Sequence, residues 1–254
     1  MFSTKNNSLG KTTALLFICI FPLLAAPAFS DAITGRQIMK EMEQKMRGNS
    51  SQGRIKMEIP KTGRELVADF WMEGTDNALI KIVEPAKQSG QVTLKSGKML
   101  WVYDPKLEKP AKISPAYLIK TWEGSDFTYD DMIKATTIVN DYNHRLTGTV
   151  IVRDKELWKI ESVPNPGVPV LWGKLEFLVG KDFLPRRQEF YDEKGRLVKT
   201  LEFSEFRTMG GRLFPAEWKM TDMTKTGSFS VIKYQKISFN LPIKPYTFSF
   251  KSLQ

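Results

Sequence analysis

The segment Leu66-Val67-Ala68-Asp69-Phe70-Trp71-Met72-Glu73 decides the architecture. Leu66, Ala68, Phe70 and Met72 fall on one side of an extended chain and Val67, Asp69, Trp71 and Glu73 on the other, a period of two that belongs to strands. Just upstream, Ile55, Met57 and Ile59 alternate with Lys56 and Glu58 in the same way. The pattern then recurs almost to the C-terminus. Strands are expected at 78–83, 91–96, 99–103, 141–146, 149–153 and 157–163, and again at 174–179, 186–191, 197–206, 216–223, 229–239 and 246–250. Tight turn chemistry separates several of them, as in Asp192-Glu193-Lys194-Gly195, Gly210-Gly211 and Lys225-Thr226-Gly227. Strands joined so closely pair antiparallel, and a meander of about 11 of them curls under its own twist into a barrel or half-barrel.

Working outward, one amphipathic helix precedes the strands, over 34–47. Ile38, Met42 and Met46 repeat at four-residue spacing with Met39 beside them, and Gly48 supplies the C-terminal stop. A second helical signal interrupts the strands at 125–135, with Met132 and Ile133 as its apolar side, and 115–120 has the makings of a short turn. A curved sheet has one natural place for such helices, its concave face. Large apolar residues mark one side of several strands: Phe229, Val231, Ile237 and Phe239, or Tyr246, Phe248 and Phe250. Met99, Trp101 and Tyr103 oppose Leu100 and Val102, as in a strand covered on both sides. A filled core accounts for most of these aromatics one by one.

The composition, 41% hydrophobic and 26% charged over 254 residues, excludes a disordered, collagenous or polytopic membrane chain. Residues 1–28 read as a secretory signal peptide: Lys5 and Lys11, an apolar run through Ala26, then Ala26-Pro27-Ala28 as the cleavage pattern. The run of about 15 residues is short of the ~20 that a retained spanning helix needs. Cleavage after Ala28 removes two lysines and no acid, so the net charge falls from +10 to +8. Cys19 leaves with the signal, which excludes disulfides, thiol catalysis and cysteine metal ligands from the mature chain. Its flanks, Phe17-Ile18 and Ile20-Phe21, do not suit a lipoprotein signal. Export without disulfides suits a bacterial periplasm. Residues 33–254 are then expected to form a single domain, and the sequon Asn49-Ser50-Ser51 is read as chance.

Catalytic signatures are missing. His144 is the single histidine, there is no G-x-S-x-G, H-E-x-x-H, C-x-x-C or G-x-G-x-x-G, and His144 in Asn143-His144-Arg145 reads as an exposed strand residue. The acidic group Glu123, Asp126, Asp130 and Asp131 has two readings, a calcium site or a helix N-terminus capped by Ser125 or Asp126; the cap is the commoner use. The positive charges of the chain are scattered, with no arginine-rich arm, so they read as solvated strand faces in preference to a basic rim or a nucleic-acid surface. No enzyme activity, cofactor, metal or nucleic-acid partner is expected.

Two stretches carry a resemblance. Leu100-Trp101-Val102-Tyr103-Asp104-Pro105 followed by Trp122-Glu123-Gly124-Ser125-Asp126-Phe127-Thr128-Tyr129-Asp130-Asp131, and downstream Glu189-Phe190-Tyr191-Asp192-Glu193-Lys194-Gly195-Arg196-Leu197-Val198-Lys199, resemble the outer-membrane lipoprotein-sorting proteins, related in fold to the periplasmic lipoprotein carrier LolA. The resemblance implies a mainly β fold, an unclosed antiparallel β-barrel plugged by short helices, with acyl chains of lipids or lipoproteins held between sheet and plug. It also implies transfer across the periplasm, from an inner-membrane transporter as donor to an outer-membrane acceptor. On this expectation Phe70, Met72, Trp101, Phe177, Trp218, Met220 and Phe248 line the acyl-chain cavity, and Ile38, Met42 and Met46 belong to a lid helix. The face of each strand that turns inward is the weak step, because a slip of one residue reverses it. The alternative is an interaction module that docks on an envelope transporter or sensor and fills its cavity with its own side chains.

Overall fold

The structure is a computed structural model, and it describes residues 1–3, 32–97, 99–107, 109–134 and 138–253. The expected signal segment lies outside the described residues except for its first three. The fold belongs to the unit Ile33–Gln254. Helix α1 (Gly35–Arg47) opens it. Thr34 and Gln37 form a reciprocal cap, the Thr34 amide donating to Gln37 Oε1 at 2.7 Å and the Gln37 amide to Thr34 Oγ1 at 3.2 Å. Gly48 closes the other end with φ at 65°, where a glycine is favoured.

Six strands follow: β1 (Ser50–Ile59), β2 (Arg64–Glu73), β3 (Asn77–Glu84), β4 (Val92–Ser96), β5 (Met99–Tyr103) and β6 (Ala111–Lys112). The chain then leaves the sheet through short 3-10 turns, α2 (Tyr129–Lys134) and α3 (Ile138–Asp141). It returns as β7 (Tyr142–Val152), β8 (Lys155–Pro164), β9 (Lys174–Gly180), β10 (Pro185–Tyr191), β11 (Leu197–Met209), β12 (Arg212–Asp222) and β13 (Phe229–Phe239). Among the described residues these make one 13-stranded sheet in the order β6-β5-β4-β3-β2-β1-β13-β12-β11-β10-β9-β8-β7. Every neighbour follows in sequence except at one seam, where the first strand pairs antiparallel with the last. The free edges are β6 and β7, and the connecting segment that carries α2 and α3 runs between them.

The alternation read in the sequence governs burial. Ile55, Met57, Ile59, Leu66, Ala68 and Phe70 are buried. Their outward neighbours on β1 make cross-strand ion pairs, Arg54–Asp69 at 2.6 Å, Lys56–Glu65 at 2.9 Å and Lys233–Glu58 at 2.8 Å, so these charges belong to a solvated face. Such exposed pairs add little stability each. The long β11–β12 hairpin turns on Gly210 and Gly211, with φ at 56° and 82°, the pair of left-handed residues that a tight hairpin demands.

Four expectations are corrected. The sheet has 13 strands where about 11 were expected. Residues 141–146 and 149–153 belong to one strand, β7, whose register shifts between Leu146 and Gly148. The segment 246–250 is two 3-10 turns, Pro245–Phe248 and Phe250–Leu253, because Pro245 pre-sets a turn and only Phe248 of its three aromatics is buried. The second helix starts at Tyr129, with Thr128 as its cap: the Asp131 amide donates to Thr128 Oγ1 at 3.1 Å and the Thr128 amide to Asp131 Oδ2 at 2.8 Å.

Candidate functional site

Between α1, the connecting segment and the inner face of the sheet lies a cavity of about 180 Å³. Strands from both sides of the seam wall it, with Phe70 and Ile80 on one side and Phe177, Trp218 and Met220 on the other. From α1 come Met39, Met42 and Met46, and from the connecting segment Phe127, Met132 and Val139. A dry cavity of ~150 Å³ holds one benzene ring, so this one has room for roughly six to eight carbon atoms. A full-length acyl chain requires α1 or the connecting segment to move outward.

Five of the seven residues expected to line a cavity, Phe70, Met72, Phe177, Trp218 and Met220, do line this one, together with the helix residues Met42 and Met46. Ile38, also on α1, is fully buried in the core and is not among the residues that line the cavity. Trp101 and Phe248 are on the other side of the sheet. They belong to a separate cluster with Leu79, Val92 and Leu94, and Trp101 packs edge-on against Phe250 at 4.7 Å. Strand β5 is covered on both sides because the C-terminal turns close over it.

Tyr234 and Trp172 were missed. The register of β1 on β13 shifts between Arg54 and Ile55, so the inward face of β13 passes from Ile232 and Tyr234 to Ile237. This corrects the grouping of Val231 with Ile237, which assumed an unbroken alternation. Trp172 precedes β9 in an irregular stretch with no period to read; it packs on Phe190 at 5.1 Å and closes the far wall.

The motif Trp122 to Asp131 is the best-anchored part of the wall. Asp126 is buried, and its carboxylate accepts from the hydroxyls of Ser228 and Ser230, both at 2.6 Å. Its own amide donates to Ser230 Oγ at 2.9 Å. Lys199, buried on β11, donates to the Asp126 carbonyl at 2.6 Å and to Asp131 Oδ2 at 3.1 Å. Trp122 Nε1 reaches Thr93 Oγ1 on β4 at 3.2 Å. These bonds tie the segment to β4 through Trp122 and to β11 and β13 through its acidic residues, and among the described residues no group of three metal-ligating side chains occurs. Asp126 does not cap α2, contrary to expectation, because its oxygens are spent on the two serines. Glu123 sits apart, accepting from Gln88 Nε2 at 2.8 Å, and burial pushes its carboxyl up.

His144 is buried where an exposed residue was expected. Its Nδ1 is 2.7 Å from Ser162 Oγ and Nε2 has no hydrogen-bond partner among the described residues. Burial lowers its pKa, and nearby Arg36 adds to that, while the carbonyls of Val139 and Ile138 oppose it.

A family model described as "Uncharacterized protein" matches residues 74–254. No curated protein matches the chain. Among solved structures, a DUF1329 family protein from Desulfovibrio piger is similar with a TM-score of 0.78 and 23% identity, covering 87% of this chain and 98% of that one. An outer membrane lipoprotein-sorting protein domain from Vibrio parahaemolyticus follows with a TM-score of 0.76, 20% identity and coverage of 86% and 97%. A LolA superfamily protein from Nitrosomonas europaea has a TM-score of 0.74, 24% identity and coverage of 87% and 100%. At these identities the likeness is one of fold: a LolA-like, mainly β, unclosed sheet.

Proposed function

We propose that this chain, which belongs to the family whose model matches it over residues 74–254, is a non-enzymatic carrier that shelters an acyl chain of a lipid or lipoprotein in the cavity beneath α1. The observation that carries this is the cavity wall: a sheet face of aromatics and aliphatics covered by a helix that presents Met39, Met42 and Met46. Each methylene taken out of water is worth ~0.8 kcal/mol, so a free acyl chain crosses an aqueous compartment slowly and a binder with an apolar interior lowers that barrier. Unbranched thioether side chains repack around cargo of varying shape. The cavity has room for only a few carbons, so loading of a longer chain shifts the population toward a form with α1 displaced.

The signal reading of residues 1–28 places this work in the periplasm, with 33–254 as the carrier domain, an inner-membrane transporter as donor and an outer-membrane acceptor. The fold likeness to a lipoprotein-sorting domain and a LolA superfamily protein supports the reading. No helix among the described residues is long and apolar enough to cross a membrane. The test is native extraction followed by mass spectrometry for co-purified lipid, with titration of a fluorescent fatty acid. Co-purified lipid and saturable probe binding are expected. Protein that is repeatedly empty and does not bind the probe defeats the proposal and leaves a docking module.

A further inference from the structure

Arg47 stands in the last turn of α1 and contributes to the wall of the apolar cavity. Among the described lining residues it is the one basic side chain. Its one hydrogen bond among them runs from Nη2 to the thioether sulfur of Met72 at 3.6 Å. Thioether sulfur is a weak acceptor, whereas a guanidinium carries five donors and a permanent charge. The negative end of the α1 dipole accounts for a cation in this turn, but not for one directed at hydrocarbon. Arg47 is half-buried, and none of its nitrogens is both sealed from solvent and unpartnered, so the guanidinium has donors to spare for an anion at the cavity.

Among the described residues Arg47 forms no ion pair: Glu43, one turn earlier and on the same cavity wall, makes no salt bridge with it, and burial raises the Glu43 carboxyl while the Arg47 charge opposes that. Ser51 lies opposite Met72 in the β1–β2 register, beside the sulfur that Arg47 reaches. Tyr234 also lines this part of the cavity, close enough to feel the Arg47 charge, and burial holds its phenol in the protonated, donating form. Asp130, Asp131 and Asp141 line the wall on the connecting-segment side, where Lys199 already pairs with Asp131 at 3.1 Å. The donors Arg47, Ser51 and Tyr234 thus gather near the α1 C-terminus beside Glu43, while the three aspartates lie on the connecting-segment side.

We propose that the cavity receives an acyl chain ending in an oxyanion, a fatty carboxylate or the phosphate of a single-chain phospholipid. Arg47 binds the oxyanion in a two-pronged contact, assisted by the hydroxyls of Ser51 and Tyr234, while the hydrocarbon lies against Phe177 and Met220. This rests on the acyl-carrier reading and names the class of cargo.

The test uses the full chain, stripped of lipid, titrated with palmitate, with palmitoyl lysophosphatidylglycerol and with hexadecanol, which has the same chain and no charge. At least one anion should bind roughly 10- to 100-fold more tightly than the alcohol. Whether the carboxylate or the phosphate shows that preference identifies the headgroup. Arg47→Met should bring the anion to the affinity of the alcohol and leave the alcohol unchanged, with Arg47→Lys between. The melting temperature of lipid-free Arg47→Met should hold, because no ion pair of Arg47 is lost with the charge. If that variant fails to fold, Ser51→Ala and Tyr234→Phe should each weaken the anion alone. Equal affinity for anions and alcohol in the unsubstituted protein, or an anion affinity indifferent to these changes, overturns the headgroup site while leaving the acyl carrier standing. No binding of any of the three overturns both.

Discussion

The two elements that roof the cavity are held to the sheet by different chemistry. The segment from Trp122 to Asp131 is bolted down by buried polar bonds: Asp126 to Ser228 and Ser230, Lys199 to Asp131, and Trp122 to Thr93. Helix α1 reaches its surroundings through few such bonds. Arg36 donates to the Val139 carbonyl at 2.9 Å and Arg212 to the Gln44 carbonyl at 3.1 Å, while its cavity-facing side is Met39, Met42 and Met46. Buried polar bonds break all at once and at high cost, whereas methionine contacts slide. On the proposed carrier reading, this contrast makes the connecting segment the fixed floor and α1 the moving lid.

The largest effect should come from the floor. Asp126→Ala strips two buried serine hydroxyls of their acceptor and should cost about 3 kcal/mol in urea denaturation. It should also speed amide exchange through the connecting segment more than through α1. A loss below about 1 kcal/mol would mean that the bolted region is no better held than the lid.

Next comes the lid. Met42→Ala with Met46→Ala removes two half-buried side chains from the cavity roof and should cost about 2 kcal/mol together. The same double variant should raise the rate of probe uptake, as expected if α1 must swing out. Slower uptake with an unmoved unfolding midpoint would show instead that entry avoids α1. A smaller change, Thr128→Ala, deletes the α2 cap and should cost about 1 kcal/mol. Restored anchoring with Thr128→Ser would separate the hydroxyl from the methyl.

The sequence makes these two roofs unequally legible. The i, i+4 spacing of Ile38, Met42 and Met46 reveals α1 and its covered face, and period two reveals most strands. The inward face of β1, β2 and β12 follows from that alternation, because their register on the cavity side is regular from Leu66 to Met72 and from Trp218 to Met220. Strand β13 defeats the same logic, since one register shift carries the inward position from Tyr234 to Ile237. Trp101 alternates as well as Phe70 does, yet its sheet face is covered from outside by the C-terminal turns. Local pattern does not say which side of a doubly covered strand holds the cavity. Asp126 escaped for another reason: an acid before a helix reads as a cap, and only its three-dimensional neighbours show it buried under two serines, while nothing local marks Arg47 as part of the cavity wall.

The smallest effect concerns the joint between the two roofs. His144 on β7 lies where α1 begins and α3 ends; a side chain on Gly35 would come within 2.8 Å of the His144 carbonyl. The groups facing its ring are Ser162, the cation Arg36 and the carbonyls of Ile138 and Val139. Burial and Arg36 together hold its folded pKa below the ordinary value of 6.5. The unfolded chain therefore binds a proton first as the pH falls. The stability of the neutral ring is complete above about pH 6.5 and is lost progressively below it, toward the depressed folded pKa. Thermal unfolding from pH 7.5 to 5.5 should show the midpoint falling by a few degrees, and His144→Gln should flatten that part of the slope. Exchange at the first turn of α1 should quicken over the same interval while the Trp122 to Asp131 amides stay protected. If both regions loosen together, the joint couples lid and floor, and the division between them fails at its mildest point of stress.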